Sequence, residues 1–391
     1  MRPELEAALR RNPKDEASWA VFGDLLAGEG DSRGELIALE QRMASTERPF
    51  ERQVLEHQAL ELSSRERRRW LGALADSGDV EVVWHRGFAV EATIHRRVPR
   101  NLGLLLASPT GALLHTLRLP RLESCKRLPT HLAGREILHL ELRNPGSSDF
   151  SALASLASLR SLTIAQAQVE DLAAFATLPA LETLALPYLQ SPLTGLAAPG
   201  FPALRRLELP FHGAPRAAGD ATLDPVAALA RLVHLDLGHA GWTRVDALGG
   251  LAALETLVLC STDVFDLRPL AGLASLRSLD LRGSTAVADL DPLAAISTLE
   301  HLRVGYTRVR SLRSLRPLPR LRHLDIAGTT IDDPQQLLAL PALARLEIHG
   351  SSLQEVKTLI DRGIQVDGRP PPTQPTWREL AEGLLAGARK S

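Results

Sequence analysis

Two cysteines in 391 residues, Cys125 and Cys260, are too few and too far apart for a disulfide framework or a paired-cysteine zinc site. Such sparing use suits a reducing compartment. Aromatic residues reach only 4%, with two tyrosines in the whole chain, so a stacking platform for nucleic acid has little to be built from. No uninterrupted run of 18 apolar residues occurs, and the opening MRPELEAALRRNP is charged and lacks an apolar core; neither a membrane helix nor a secretion signal is read, and the default compartment is the cytoplasm. An excess of charge of one sign is also missing. Forty-five basic residues against 46 acidic ones leave a net charge of −1, so no global field recruits nucleic acid or anionic lipid. The densest basic stretch, SSRERRRW from Ser63, brings Arg65, Arg68 and Arg69 together on a helix and reads as a solvated face. Walker loops, GxGxxG after a strand and HExxH are absent, and GxSxG is met only as Gly30-Asp31-Ser32-Arg33-Gly34, within a helical pattern rather than after a strand, which removes the common enzyme signatures and any implied cofactor. What is present is ample apolar material: 45% hydrophobic content with 23% charge can bury a large core.

That apolar material is periodic. The pattern LxxLxL, allowing Ile or Val, begins at Leu114, Ile137, Leu159, Leu181, Leu204, Leu232, Leu254, Leu276, Leu299, Leu321 and Leu343. Steps are 22 or 23 residues except for one of 28, between Leu204 and Leu232. With n for the first leucine, alternation at n+3 and n+5 is the period of a strand buried on one face. About a dozen residues return the chain to the next parallel strand, and segments such as DLRPLAGLASL from Asp266 and DPQQLLALPAL from Asp333 favour short turns or single 3₁₀ turns. Coils of this kind bury their leucines only against one another, so the ends need caps.

Residues 112 to 366 resemble the leucine-rich repeat family in its short 22-residue class, known from internalins. The resemblance implies an α+β fold: a solenoid with a parallel sheet on its concave face and short returns. Its usual Asn at n+8 is replaced by Thr262, Ser284, Thr307, Thr329 and Ser351 in the last five repeats, which predicts a hydroxyl ladder in the same role. Earlier repeats carry Pro145, Ala167, Leu189, His212 and Ala240 there, and less regularity is expected of them.

The N-terminal region follows another grammar. Helical periods run through Leu5 and Leu9, through Trp19, Phe22, Leu25 and Leu26, and through Leu36, Ile37 and Met43. Residues 4 to 43, with GDSRGELI at their centre, resemble a bacterial repeat-companion domain, a likeness that carries architecture and no activity. A helix pair, Phe50 to Leu62 and Arg65 to Leu74, is expected next, then a hairpin from Val80 to Ile94 turning at His85-Arg86-Gly87. The expected division is a helical module at 1–78, hairpin and N-terminal cap at 79–111, about eleven repeats at 112–352, a C-terminal cap at 353–367, and a proline-rich linker with a short amphipathic helix at 368–391. In that last segment Thr376 to Glu379 match a capping box, and Trp377, Leu380, Leu384 and Leu385 share a face that either folds back on the solenoid or docks elsewhere.

Candidate functional residues follow from the register. Positions n+2, n+4 and n+6 project from the concave face, and equivalent positions on neighbouring strands lie ~4.8 Å apart. The n+2 column includes His234, His301, His323 and Arg345; the n+4 column includes Asp236, Asp280, Arg303, Asp325 and Glu347. Each alone is explained as a solvated cross-strand charge, but together they make a face for an elongated protein partner. Tyr188, Phe211 and Tyr306 all fall at n+7 beside that face, where aromatic rings anchor interfaces. A non-catalytic protein-recognition scaffold is therefore expected, with no nucleic acid or membrane partner, and with Asp325→Arg weakening partner binding while the fold survives. The alternative is a metal-dependent or regulatory enzyme using His301, His323, Asp325 and His349. Cys260, at n+6, is the one thiol whose reactivity is open, and the histidine column is a candidate pH sensor. Partner identity and oligomeric state are not legible.

Overall fold

The computed structural model describes residues 1–146, 148–169, 171–189, 191–197, 200–212, 222–350 and 357–368. Ser351, the proline-rich linker and the C-terminal amphipathic segment lie outside them. The chain divides into two compact units: Met1–Pro187 with Ala198–Leu204, and Tyr188–Ala197 with Arg205–Ser391.

The first unit opens with helices α1 (Arg2–Arg11), α2 (Glu16–Gly28), α3 (Ser32–Ser45) and α4 (Pro49–Leu71). The GDSRG segment is accounted for by packing. Asp31 caps α3 by accepting from the Arg33 backbone N–H at 3.1 Å and holds the Arg33 guanidinium at 2.8 and 2.9 Å. Gly34 lies where α2 and α3 touch, so closely that a Cβ there would stand 2.5 Å from the Ala27 nitrogen. Leu9, Trp19, Phe22, Leu26 and Ile37 close a core with Phe88, Ala112 and Leu113. The expected helix pair after residue 50 is one helix, α4, followed by a 3₁₀ turn at Gly72–Leu74. Ser63 does not break it, because its hydroxyl bonds back to the Ala59 carbonyl at 2.8 Å and is satisfied inside the helix. Arg65, Arg68 and Arg69 of α4 pair with Glu66, Asp76 and Glu66.

The hairpin forms from β1 (Val80–His85) and β2 (Phe88–Ile94), turning on Arg86 and Gly87 at φ 51° and 78°. β2 then pairs in parallel with β3 (Thr116–Leu119), and β4 (His139–Arg143), β5 (Ser161–Ala165) and β6 (Thr183–Ala185) follow in order. A helix not read from the sequence, α5 (Val98–Ala107), precedes β3; its apolar run was too short to separate helix from strand.

The second unit is a parallel sheet of β7 (Arg206–Glu208), β8 (His234–Asp236), β9 (Thr256–Val258), β10 (Ser278–Asp280), β11 (His301–Arg303), β12 (His323–Asp325), β13 (Arg345–Glu347) and β14 (Gln365–Asp367), in register at every n+2, n+3 and n+4 position. Leu276, Leu279 and Leu281 have no exposed surface, nor do Leu299, Leu302 and Val304. Burial of each contributes ~1.5–3 kcal/mol. Returns are 3₁₀ turns such as Arg268–Gly272, Asp291–Ala295 and Pro334–Ala339. Their preceding aspartates are turn formers: Asp266 accepts from the Arg268 N–H at 2.9 Å and Asp289 from the Asp291 N–H at 2.8 Å. A short helix at Lys357–Asp361 and β14 end the described array.

The n+8 hydroxyls make the expected ladder. Thr262 Oγ1 donates to the Leu259 carbonyl at 2.8 Å, Ser284 Oγ to the same carbonyl at 2.7 Å, Thr307 Oγ1 to Val304 at 2.7 Å and Thr329 Oγ1 to Ile326 at 2.5 Å. Ser284 Oγ also accepts from the Thr262 backbone N–H at 3.1 Å, tying two coils together. The fold is thus a leucine-rich repeat solenoid preceded by helices.

Candidate functional site: an aromatic edge and two polar columns

Each strand of the second unit ends in a residue that must reverse the chain while staying on the hydrogen-bond ladder. The n+7 backbone N–H donates to the n+6 carbonyl of the next repeat: Tyr188 to Pro210 at 3.0 Å, Phe211 to Gly238 at 2.9 Å, His239 to Cys260 at 2.7 Å, Tyr306 to Ala327 at 2.6 Å. Every n+7 residue from Tyr188 to Gly350 holds a left-handed backbone, with φ between 54° and 72°. Glycine meets that requirement at least cost, and Gly283, Gly328 and Gly350 do so. A bulky residue there is strained by ~1–3 kcal/mol. The chain nevertheless places Tyr188 (φ 62°), Phe211 (57°), His239 (57°) and Tyr306 (58°) at these positions.

Three of these rings form a stack. Tyr188 and Phe211 lie 4.7 Å apart and 10° from parallel, and Phe211 and His239 4.5 Å apart and 9° from parallel. They remain in solvent: Tyr188 is 45% and Phe211 40% exposed, and His239 is exposed as well. His239 was not among the residues expected from the sequence, although its n+7 register was the signal that would have found it. Tyr306 stands apart, with Ser261 and Gly283 at the intervening n+7 positions. Its ring lies over Gly328, where a Cβ would be 2.4 Å from Cδ1, and it is 59% exposed.

The polar columns take the expected register but not the expected freedom. At n+4, Asp236, Asp280 and Asp325 each accept from a backbone N–H two residues on: Gly238 at 2.9 Å, Arg282 at 3.0 Å and Ala327 at 2.8 Å. Asp280 is 5% exposed and is further held by the Arg282 guanidinium at 2.7 Å and by Arg303 at 3.5 Å. Asp325 is 2% exposed, and burial above all pushes its carboxyl above the usual range. The reading of Asp325→Arg as harmless to the fold is therefore corrected: the carboxylate satisfies the turn, and a guanidinium has no room there.

At n+2, His301 packs edge-on to His323 at 5.7 Å, and His323 Nε2 lies 2.9 Å from Glu347 Oε1. Arg345 reaches Glu347 at 3.8 Å and Asp367 at 2.8 Å. Burial, then the charge of Arg206, lowers the His234 imidazole, and burial, then His323, lowers that of His301. Among the described residues no group of three or more His, Cys, Asp or Glu side chains is placed to hold a metal. The Cys260 thiol, 3.5 Å from His239 Nε2, is pushed up by burial and by Asp280 and Asp236, which disfavours the reactive thiolate. Cys125 is buried and pushed up to about 12. No described helix is long and apolar enough to cross a membrane.

No protein-family model matches the chain, and no curated protein matches it. Solved structures do. An internalin, inlF, of Listeria monocytogenes is similar at 19% identity and a TM-score of 0.55, over 74% of this chain and 84% of that one. A leucine-rich repeat protein of Leptospira interrogans is similar at 18% identity and a TM-score of 0.52, over 66% of each chain. An internalin C2 of Listeria monocytogenes matches 49% of this chain at 27% identity, with a TM-score of 0.44.

Proposed function

We propose that this chain, which has the leucine-rich repeat fold, is a non-catalytic recognition scaffold that binds a protein partner along the n+7 edge of its sheet. The observation that carries the reading is the placement of Tyr188, Phe211, His239 and Tyr306 in left-handed backbone while their rings stay exposed. Stability alone favours glycine at such positions, so strained, exposed, pre-stacked rings point to selection for contact. Aromatic side chains on a rigid support lose little entropy on binding, which is the profile of an interface hot spot. His234 and Asp236 beside the stack, and His301, Arg303, His323, Arg345 and Glu347 further along, supply the polar surround. Asp280 and Asp325 support the strand ends from beneath. In this reading the helical module links the recognition surface to a second component.

A photo-crosslinking residue at position 211, compared with one at the exposed Ala274 on the return side, tests this in a lysate of the source cells. One defined cross-linked protein from position 211, absent from 274, is expected. Tyr306→Gly then separates contact from stability: melting temperature should hold or rise by the equivalent of ~1 kcal/mol, while the cross-link from position 211 weakens. Equal cross-linking from both positions, or a collapse of melting in Tyr306→Gly, sinks the proposal.

A further inference from the structure

The free edge of the hairpin is a second surface, which the n+7 reading does not use. β1 is the outermost strand of its sheet, and among the described residues β2 is the only element it runs alongside. One bond sets the hydrogen-bond phase of the pair. The His95 backbone N–H donates to the Asp79 carbonyl at 2.8 Å, and the register of Val80 with Ile94 sets those two residues opposite each other. Asp79 and His95 are therefore a hydrogen-bonded pair, and in an antiparallel ladder such pairs alternate with open ones. Asp79, Glu81 and Val83 turn their backbone groups to β2, whereas Val80 and Val82 turn theirs outward. Further on, Val83 faces Glu91 and Trp84 faces Ala89, a bulge whose extra residue, Val90, is on β2. Alternation along β1 is thus unbroken, and Trp84 also points its groups outward. No hydrogen bond to the outward N–H or C=O groups of Val80, Val82 and Trp84 occurs among the described residues.

Such an edge is a template for pairing, and proteins blunt it with lysine, proline, brevity or a bulge on the edge strand itself. β1, with the sequence VEVVWH, has six residues, no lysine and no proline, and the bulge lies on its inner neighbour. Its branched and aromatic residues favour extended backbone. Val83 is 51% exposed, on the same face as Glu81, which pairs with His95 at 3.1 Å.

The spacing of the outward residues selects the occupant. Antiparallel pairing of two copies about Val82 sets Val82 opposite its own equivalent and Val80 opposite Trp84 of the second copy. Every outward N–H then meets an outward C=O. Glu81 faces Val83 of the second copy, so exposed apolar surface is covered and no like charges oppose. A shift of two residues one way sets Glu81 against its own copy, and the other way runs Val80 against the Arg86 turn. We infer that two copies of this chain pair through β1, antiparallel about Val82, in a closed twofold dimer.

Sedimentation velocity of the full chain between ~1 and ~300 µM tests the inference, because so small an interface makes association depend on concentration. A dimer that dissociates on dilution is expected. Val82→Pro removes the central N–H at an edge position that tolerates proline, and should leave a folded monomer throughout. Charge at the exposed position 83 reads the register. Val83→Lys attracts Glu81 of the second copy and Val83→Glu repels it, so the lysine variant should dimerise about ten-fold more tightly than the glutamate variant. A wild type that stays monomeric overturns the inference and leaves the edge to an extended segment of another protein. A folded Val82→Pro that still dimerises, equal affinity of the two charge variants, or growth beyond two copies would also overturn it. Wild type and the position-83 variants decide the matter whether or not Val82→Pro folds.

Discussion

Within the second unit successive coils solve the strand-end turn in two ways. From Tyr188 to Ala240 the n+7 positions carry stacked rings and the n+8 positions carry Leu189, His212 and Ala240, which offer no hydroxyl. From Ser261 onward n+7 is small or glycine, Tyr306 excepted, and n+8 carries Thr262, Ser284, Thr307 and Thr329, whose hydroxyls satisfy turn carbonyls and link coils. In the first segment His212 occupies the n+8 place: it is 6% exposed, packs 5.1 Å from Trp242 and donates through Nε2 to the Ser191 carbonyl at 3.1 Å. The lesson is that the repeat period leaves two positions free at each turn, and a coil can commit them to internal satisfaction or to an exposed surface.

That contrast can be broken at its stable end first. Asp325→Arg should be the most damaging change, because it leaves the Ala327 N–H without its acceptor and forces a charge into a site 2% exposed. A loss of ~3–5 kcal/mol is expected, seen as early unfolding in urea; wild-type stability would show that the aspartate ladder is dispensable. Ser284→Ala comes next. It removes one bond to Leu259 and one from Thr262 in a fully buried position, for ~1–3 kcal/mol, and a melting curve like the wild type's would demote the hydroxyl ladder to decoration.

The smallest effect concerns acid, and here His212 and His234, with His301 on their side, should differ in sign from Asp325. His212 and His234 titrate below their ordinary 6.5, chiefly through burial. Their folded forms prefer neutrality, so their contribution is present above pH 6.5 and is lost as pH falls through the lowered values. Asp325 is raised instead, so its contribution is largest in acid and is lost as pH rises through the raised value. Amide protection, taken relative to the intrinsic exchange rate at each pH, should fall around His212 and His234 from pH 7.5 to 5.5 while that of the Asp325 turn holds. Uniform loosening of both would remove the distinction.

Much of this was legible beforehand. The strand register followed from LxxLxL because one buried face with period two admits a single phase, and the hydroxyl ladder followed from Thr and Ser recurring at n+8. The merged helix α4 and the extra helix α5 were not legible, since Ser63 breaks a helix only if its hydroxyl finds a partner outside it, and a short apolar run has no distinguishing period. Asp325 was misjudged for a related reason: its column shows which way the side chain leaves the strand, whereas its burial depends on the neighbouring coil and on the Ala327 N–H it accepts.

The sequence by itself determined the repeat, its parallel register and the residue types at each turn, because hydrophobic spacing selects the side of the strand that is buried. Only the tertiary structure decided which polar residues were already spent on the backbone, and that His239 completes a stack with Tyr188 and Phe211. Those outcomes depend on hydrogen-bond partners and close contacts between residues far apart in the chain, and no local pattern encodes them.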